Sequence, residues 1–202
     1  MKKIMFSERY GLEQAVLAGT KTMTRRIIPI DLYNQTDWKA VAEGDFEAVV
    51  DGEGYYHDIR NCGKYRVGEE VAIAQAYQTL RWPALPGIDW KAITDEVTHS
   101  KGWTNKMFVK AEYMPQRIRI TGIKVERLQD ISDEDAMREG IRQSVVEYGD
   151  KKIVQWTYFG EKITTWYNSP REAFAALIDR ISGRGTWQRN PWVYAYTFEL
   201  IK

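Results

Sequence analysis

The last stretch of the chain constrains the fold most. Over residues 192–200, Trp192, Tyr194, Tyr196, Phe198 and Leu200 share one parity, and Val193, Ala195, Thr197 and Glu199 share the other. A two-residue period carrying large apolar side chains predicts a β-strand with a buried face, and that strand must lie in a covered sheet. Residues 117–128 predict a second long strand. Ile118 and Ile120 take one face, Ile123 and Val125 the other parity, and the phase changes at Gly122. A glycine at a phase change points to a bulge or sharp coil, the device by which small barrels close. Residues 71–77 alternate Val71, Ile73, Gln75 and Tyr77 with Ala72, Ala74 and Ala76, which predicts a strand with one small-residue face. Residues 4–6 predict a short strand near the start.

Helices are expected at three places. Ser7 can cap a helix carrying Leu12, Ala15, Val16 and Ala18 on one stripe, with Gly19 at its end. Residues 20–24 then read as a turn, and an extended segment begins at Ile27 and Ile28, limited by Pro29. Ser132 caps residues 133–139, with acids in the first turn and Gly140 behind. Ser169 and Glu172 form a capping box around Pro170, opening a helix with Ala173, Phe174, Leu177, Ile178 and Ile181 on its apolar face. Strands recur between helices without a βαβ rhythm, so the expected class is α+β, a mixed barrel rather than a doubly wound sheet. No repeat or linker divides the chain. A single domain over residues 1–202 is expected, with insertions near 31–66, 80–112 and 142–168. Trp38, Trp82, Trp90, Trp103, Trp156 and Trp166 fall in those insertions. They either rim a pocket and stack on a base or form satellite cores under long loops.

Composition removes several function classes. The net charge is +1, so no global basic field draws the chain onto nucleic acid, and any such contact must be local. Cys62 is the one cysteine, which excludes an internal disulfide. His57 and His99 stand outside any HExxH or CxxC pattern, and neither has the context of a Ser-His-Asp triad. There is no Walker loop and no dinucleotide fingerprint, and no metal or cofactor is expected. The most apolar stretch, residues 71–80, is too short to span a bilayer. The opening apolar residues meet Ser7, Glu8 and Arg9, which predicts no signal peptide and a cytoplasmic protein.

Chemistry concentrates at Gly19-Thr20-Lys21-Thr22-Met23-Thr24-Arg25-Arg26. A lysine, threonine hydroxyls and two arginines crowd one helix exit. One reading is a solvated basic turn that complements the helix dipole. The other is an anion or nucleotide site. A Lys21 buried beside Arg25 or Arg26 would lose its proton more easily, since desolvation and like charge both disfavour the ammonium. A neutral lysine can activate a neighbouring hydroxyl.

Read as Gly19, Lys21, Thr22, Thr24 and Arg26, this segment resembles the signature turn of the ASCH family. Residues 128–141, from Leu128 through Ser132 and Glu139 to Ile141, are similar to the strand-to-helix block of its longer, often phage- or prophage-encoded members. Residues 190–198 resemble their closing strand. The three blocks fall in order across nearly the whole chain. The resemblance implies a PUA-like β-barrel with short flanking helices, and an RNA or modified-nucleoside ligand. The small N4-acetylcytidine amidohydrolases of the family imply catalytic roles for Lys21, Thr24 and Glu139: Thr24 attacks the amide carbonyl, Lys21 takes its proton, and Glu139 orients the lysine or helps proton transfer. Thr22, Arg25, Arg26 and Gln75 are then expected to contact the ligand. Longer members commonly carry an acid in the strand where Gln75 stands, so a chain that binds without turnover remains open. The alternatives are an RNA-binding module that grips phosphate and a ribonuclease. An enzyme should shelter Lys21, Thr24 and Glu139 in one pocket, whereas a binding module should leave the cations on an open stripe.

Overall fold

The computed structural model describes residues 1–80, 89–148, 151–158 and 165–201. The strands are β1 (Lys2–Ile4), β2 (Met23–Ile27), β3 (Glu47–Val50), β4 (Tyr56–Asp58), β5 (Glu70–Ile73), β6 (Arg117–Arg127), β7 (Ile141–Tyr148), β8 (Lys151–Tyr158) and β9 (Trp192–Ile201). The helices are α1 (Leu12–Leu17), α2 (Ile30–Asn34), α3 (Trp38–Ala42), α4 (Trp90–Thr98), α5 (Asp133–Arg138), α6 (Pro170–Ser182) and α7 (Thr186–Arg189). The class is mixed α+β. One sheet runs in the order β1-β5-β6-β9-β2, and β3-β4 and β7-β8 form separate hairpins. β1 is parallel to β5; the other pairings are antiparallel.

The two long strands expected from alternation form the heart of the sheet. β6 pairs with β9 from Arg117↔Ile201 to Arg127↔Trp192, and the register shifts between Ile120 and Gly122. That shift is the phase change read in the sequence. A Cβ on Gly122 would lie 2.5 Å from Thr197 Oγ1, so a larger residue there would displace the Thr197 side chain. Tyr194, Tyr196 and Phe198 are buried, as are Ala173, Phe174, Leu177 and Ile178 of α6. Each large apolar side chain buried in this way stabilises the fold by roughly 1.5–3 kcal/mol.

Several expectations are corrected. The sheet is open: among the described residues β1 and β2 are its two ends and do not pair. β1 spans only three residues. Beyond it, Met5 O accepts Arg26 Nη2 at 2.8 Å, a side-chain bond where a barrel would carry a backbone ladder. α1 is capped by Gly11 in the left-handed region (φ 61°) and not by Ser7, because the chain makes one further turn before the helix starts. β2 begins at Met23, where pairing with Thr197 starts, so Thr24, Arg25 and Arg26 are strand residues and not part of a turn. β5 stops at Ile73, short of Gln75 and Tyr77, since its neighbours pair only with residues 70–73.

Residues expected as insertions carry structure of their own. β7 and β8 pair from Ile141↔Tyr158 to Tyr148↔Lys151. The small face of β5 is covered by a second core, in which Ala72 and Ala74 pack with Tyr77, Leu80, Val97, Val109 and Met114. The tryptophans mostly pack. Trp38 stacks between Tyr33 and Trp192 with centroids 4.9 Å apart on each side, Trp103 joins the second core, and Trp156 joins the main one. Trp166 is 40% exposed. Trp82 and the Trp90 side chain lie outside the described residues. Among the described residues no helix is long and apolar enough to cross a membrane.

Candidate functional site

β2 is an edge strand, and a cavity of about 330 Å³ opens beside it. Its polar side is formed by Lys21, Thr24, Arg25, Arg26 and Glu139. Its apolar side comes from Phe6, after β1, and from Phe174, Leu177, Ile178 and Ile181 of α6. The residues named for catalysis from the sequence therefore line one cavity, although Glu139 is over a hundred positions from Lys21.

Local structure explains the convergence. Gly19, at φ 72°, ends α1 and sends the chain back. Lys21 N and Thr20 N both donate to Ala15 O at 2.9 Å. Thr22 N donates to Arg138 O at 2.9 Å, and Arg138 Nε donates to Thr22 Oγ1 at 3.2 Å. This double clasp ties the end of α5 to the strand entry and brings Glu139 over Lys21. Thr22 thus serves as a clasp and lies outside the cavity lining.

Lys21 is 2% exposed and Glu139 4%. Lys21 Nζ donates to Glu139 Oε2 at 2.6 Å and to Glu139 O at 2.7 Å. Burial lowers the Lys21 pKa from its ordinary value; Glu139 offsets part of that, and Arg26 and Arg25 lower it further. Arg25 is 5% exposed and meets three carboxylates. Its Nε and Nη2 donate to Glu126 Oε1 at 2.9 and 2.6 Å, Nη2 also to Asp135 Oδ2 at 3.1 Å, and Nη1 to Glu139 Oε1 at 3.2 Å. Burial opposes its charge, but Glu139, Glu126 and Asp135 outweigh that and raise its pKa. Arg25 is thus committed to holding Glu139. Removing this cation would leave Glu126 without an ion-pair partner among the described residues, with Glu139 held by Lys21 and Asp135 by Arg138.

Thr24 and Arg26 differ from these two. Thr24 is buried, lines the cavity and makes no side-chain hydrogen bond to the described residues. Its hydroxyl is free to meet a ligand. Arg26 is half-buried and has no carboxylate partner among the described residues. Its bond to Met5 O leaves other guanidinium N–H groups available.

Gln75 stands behind the site. It is buried and donates to Glu13 Oε1 at 3.1 Å, away from the cavity lining. Glu13 also accepts from Lys106 at 2.7 Å, and Lys106 does line the cavity. Lys106, Glu13, Glu126 and Asp135 escaped the sequence reading. The acids in the first turn of α5 were the only local hint, and they read equally well as partners of the helix dipole. Among the described residues no group of three or more His, Cys, Asp or Glu is placed to hold a metal ion.

The turn after Glu139 can be tested directly. Gly140 sits at φ 102°, and a Cβ there would lie 3.3 Å from Leu12 Cδ2 and 3.6 Å from Lys21 Cδ. Gly140→Ala is expected to cost roughly 1–3 kcal/mol. Urea unfolding would read this as a lower midpoint at unchanged slope; an unshifted midpoint would mean that the turn relaxes freely.

Compared with known proteins, the chain matches no family model, no curated sequence and no solved structure.

Proposed function

We propose that this is an ASCH-type protein on a PUA-like scaffold, an incomplete barrel whose seam between β1 and β2 forms the site, and that it hydrolyses the N4-acyl amide of cytidine derivatives. The observation that carries this reading is the pairing of a fully buried Lys21, its pKa lowered by burial, with an unengaged Thr24 hydroxyl in the same cavity. A lysine that grips phosphate works through its charge, and burial that disfavours the ammonium works against that role.

In the proposed reaction Thr24 Oγ attacks the acyl carbonyl carbon and its proton passes to neutral Lys21. No hydrogen bond joins Lys21 Nζ to Thr24 Oγ1, so the proposed transfer requires a bridging water or a closer approach of the two groups once substrate is bound. The C–N4 bond breaks as the Lys21 ammonium returns the proton to the leaving N4. Water then cleaves the acyl-threonine ester with Lys21 again as base, giving a free acid and cytidine. Glu139 fixes the lysine through two bonds, and Arg25 fixes Glu139. Arg26 offers N–H donors to the developing oxyanion.

The test is incubation of wild-type protein with N4-acetylcytidine, N4-benzoylcytidine and short unmodified RNAs, followed by chromatography. Cytidine and the free acid should appear from the acylated nucleosides, with the RNAs intact. Cleaved RNA would support the ribonuclease alternative. Intact acylated nucleosides throughout would remove the hydrolase reading.

A further inference from the structure

β2 meets the cavity along its open edge. Thr24 and Arg26 belong to one face of the strand and Arg25 and Ile27 to the other, yet all four line the cavity. A cavity lined from both faces of a strand lies against the edge between them. Among the described residues β2 pairs with β9 alone, so this edge carries no ladder.

The register fixes which main-chain groups the edge presents. Phe198 N donates to Thr22 O at 2.9 Å, and Ile28 N donates to Trp192 O at 3.1 Å. Between these two bonds the pairs run without a shift from Met23↔Thr197 to Ile27↔Val193. Antiparallel ladder bonds fall on alternate pairs. Thr24 and Arg26 therefore bond to β9, and the N–H and C=O of Met23, Arg25 and Ile27 point away from it. Met23 and Arg25 are buried, whereas Ile27 is 43% exposed. Among the described residues no hydrogen bond reaches the Ile27 main chain. The charged side chains nearby are largely spent on one another. Lys21, Arg25 and Glu139 hold each other, and Lys106 holds Glu8 and Glu13 at 2.8 and 2.7 Å. Ile27 thus offers a free donor beside a free acceptor, three residues from Thr24, or about 10 Å along the strand.

Resting on the reading of this cavity as an acylcytidine site, we infer that the main chain of Ile27 reads the base: its N–H donates to ring N3 and its C=O accepts from N4–H. An N4-acylcytosine carries that acceptor and that donor side by side on one edge, the complement of what the strand presents. Cytosine itself keeps the pattern, so the product is recognised as the substrate is. Uracil reverses it, with a donor at N3 and an acceptor at position 4, and sets N–H against N–H and oxygen against oxygen. Such a mismatch leaves polar groups unpaired, which is how a hydrogen-bonding site rejects the wrong ligand. The group that determines specificity is then a peptide unit, and the Ile27 side chain has no part in it.

The test measures Kd by calorimetry for cytidine, 3-deazacytidine (ring N3 replaced by C–H) and uridine on wild type, Ile27→Val and Ile27→Pro. Hydrolysis of N4-acetylcytidine is followed in the same proteins. Wild type should bind cytidine about ten-fold more tightly than 3-deazacytidine, and uridine more weakly still. Ile27→Val keeps the N–H and should match wild type. Ile27→Pro lacks it and should bind cytidine as weakly as 3-deazacytidine, with KM for N4-acetylcytidine raised by about the same factor. Proline is tolerated at an edge position whose N–H makes no ladder bond, and thermal melts check that the fold is kept. Cytidine and 3-deazacytidine bound alike by wild type, or neither bound, would overturn the inference without any variant. An Ile27→Pro protein that weakens both nucleosides by the same factor would overturn it as well, since that is the mark of a structural effect. A cytidine preference that disappears in Ile27→Pro, with no product from N4-acetylcytidine, would keep the base contact and remove the hydrolase reading. Product formed by a wild type that binds cytidine and uridine alike would do the reverse.

Discussion

Lys21→Met is expected to lower turnover of N4-acetylcytidine by about 10²–10⁴-fold while leaving its Kd within a few-fold, because positioned general bases contribute on that scale. Methionine matches the lysine stem in length and packs flexibly, but cannot take a proton. The substitution should be tolerated by the fold. Lys21 is 2% exposed, so its ammonium carries a large desolvation cost that methionine does not. Glu139, once freed of Lys21, still accepts from Arg25 Nη1. Lys21→Arg is the weaker experiment, since the site is closed around the stem and a guanidinium needs more room. The wild-type rate should also rise with pH. The base works only when neutral, and burial has lowered its pKa, so the limb should have its midpoint below 10.5. Full turnover in Lys21→Met, or an unchanged pH limb, would show that Lys21 is no base and move the reading to a binding module.

The strands were legible for a simple reason. β6 alternates in sequence because one face of its first half is buried, β9 alternates large with small side chains between two covered faces, and the Ile120/Gly122 register shift left its mark as a change of parity. The helix starts at Ser132 and Ser169 were legible because capping is local, and both side chains accept the expected backbone N–H. The site was half legible. Lys21, Thr24 and Arg26 sit in one short segment, and Glu139 came from resemblance. What pairs with them came from neither. Arg25 meets Glu126 and Asp135 across 101 and 110 positions, and no spacing rule reaches that far. Gln75 shows the converse error. It was named because longer members of the resembled family commonly carry an acid in that strand, but β5 ends before it and its amide turns to Glu13. The tryptophans were ambiguous because aromatic content alone does not separate a core from a pocket rim, and packing settled Trp38, Trp103 and Trp156 as core. The open seam was invisible because it depends on β1 being only three residues long.

Glu139→Gln should destabilise the protein by roughly 3–5 kcal/mol near neutral pH, as breaking a buried pair does when one charge is left behind. At about 2–4 °C per kcal/mol for a chain of this size, the melting temperature should fall by about 6–20 °C. The loss should depend on pH, and its sign follows from linkage. Glu139 raises the Lys21 pKa against the larger lowering by burial, so removing the carboxylate lowers the folded pKa further. Between the variant's folded pKa and the wild type's, the variant has shed the Lys21 proton while the unfolded chain keeps it up to about 10.5. There the unfolded state binds more protons, and stability rises with pH in the variant but not yet in the wild type. The deficit should therefore be largest where Lys21 is still charged in both proteins and should narrow as pH rises through that window. Other shifted groups, Cys62 and the buried tyrosines among them, are common to both proteins and cancel in the difference. Adding Lys21→Met to Glu139→Gln should restore part of the stability and flatten the pH dependence, since no stranded ammonium remains. Thermal melts of the two single variants, the double variant and wild type, taken as a series from near-neutral pH up to about pH 10.5, complete the cycle. A deficit constant across the whole series, or one that Lys21→Met does not relieve, would show that Glu139 stabilises the fold through Arg25 alone and that the Lys21–Glu139 contact contributes little.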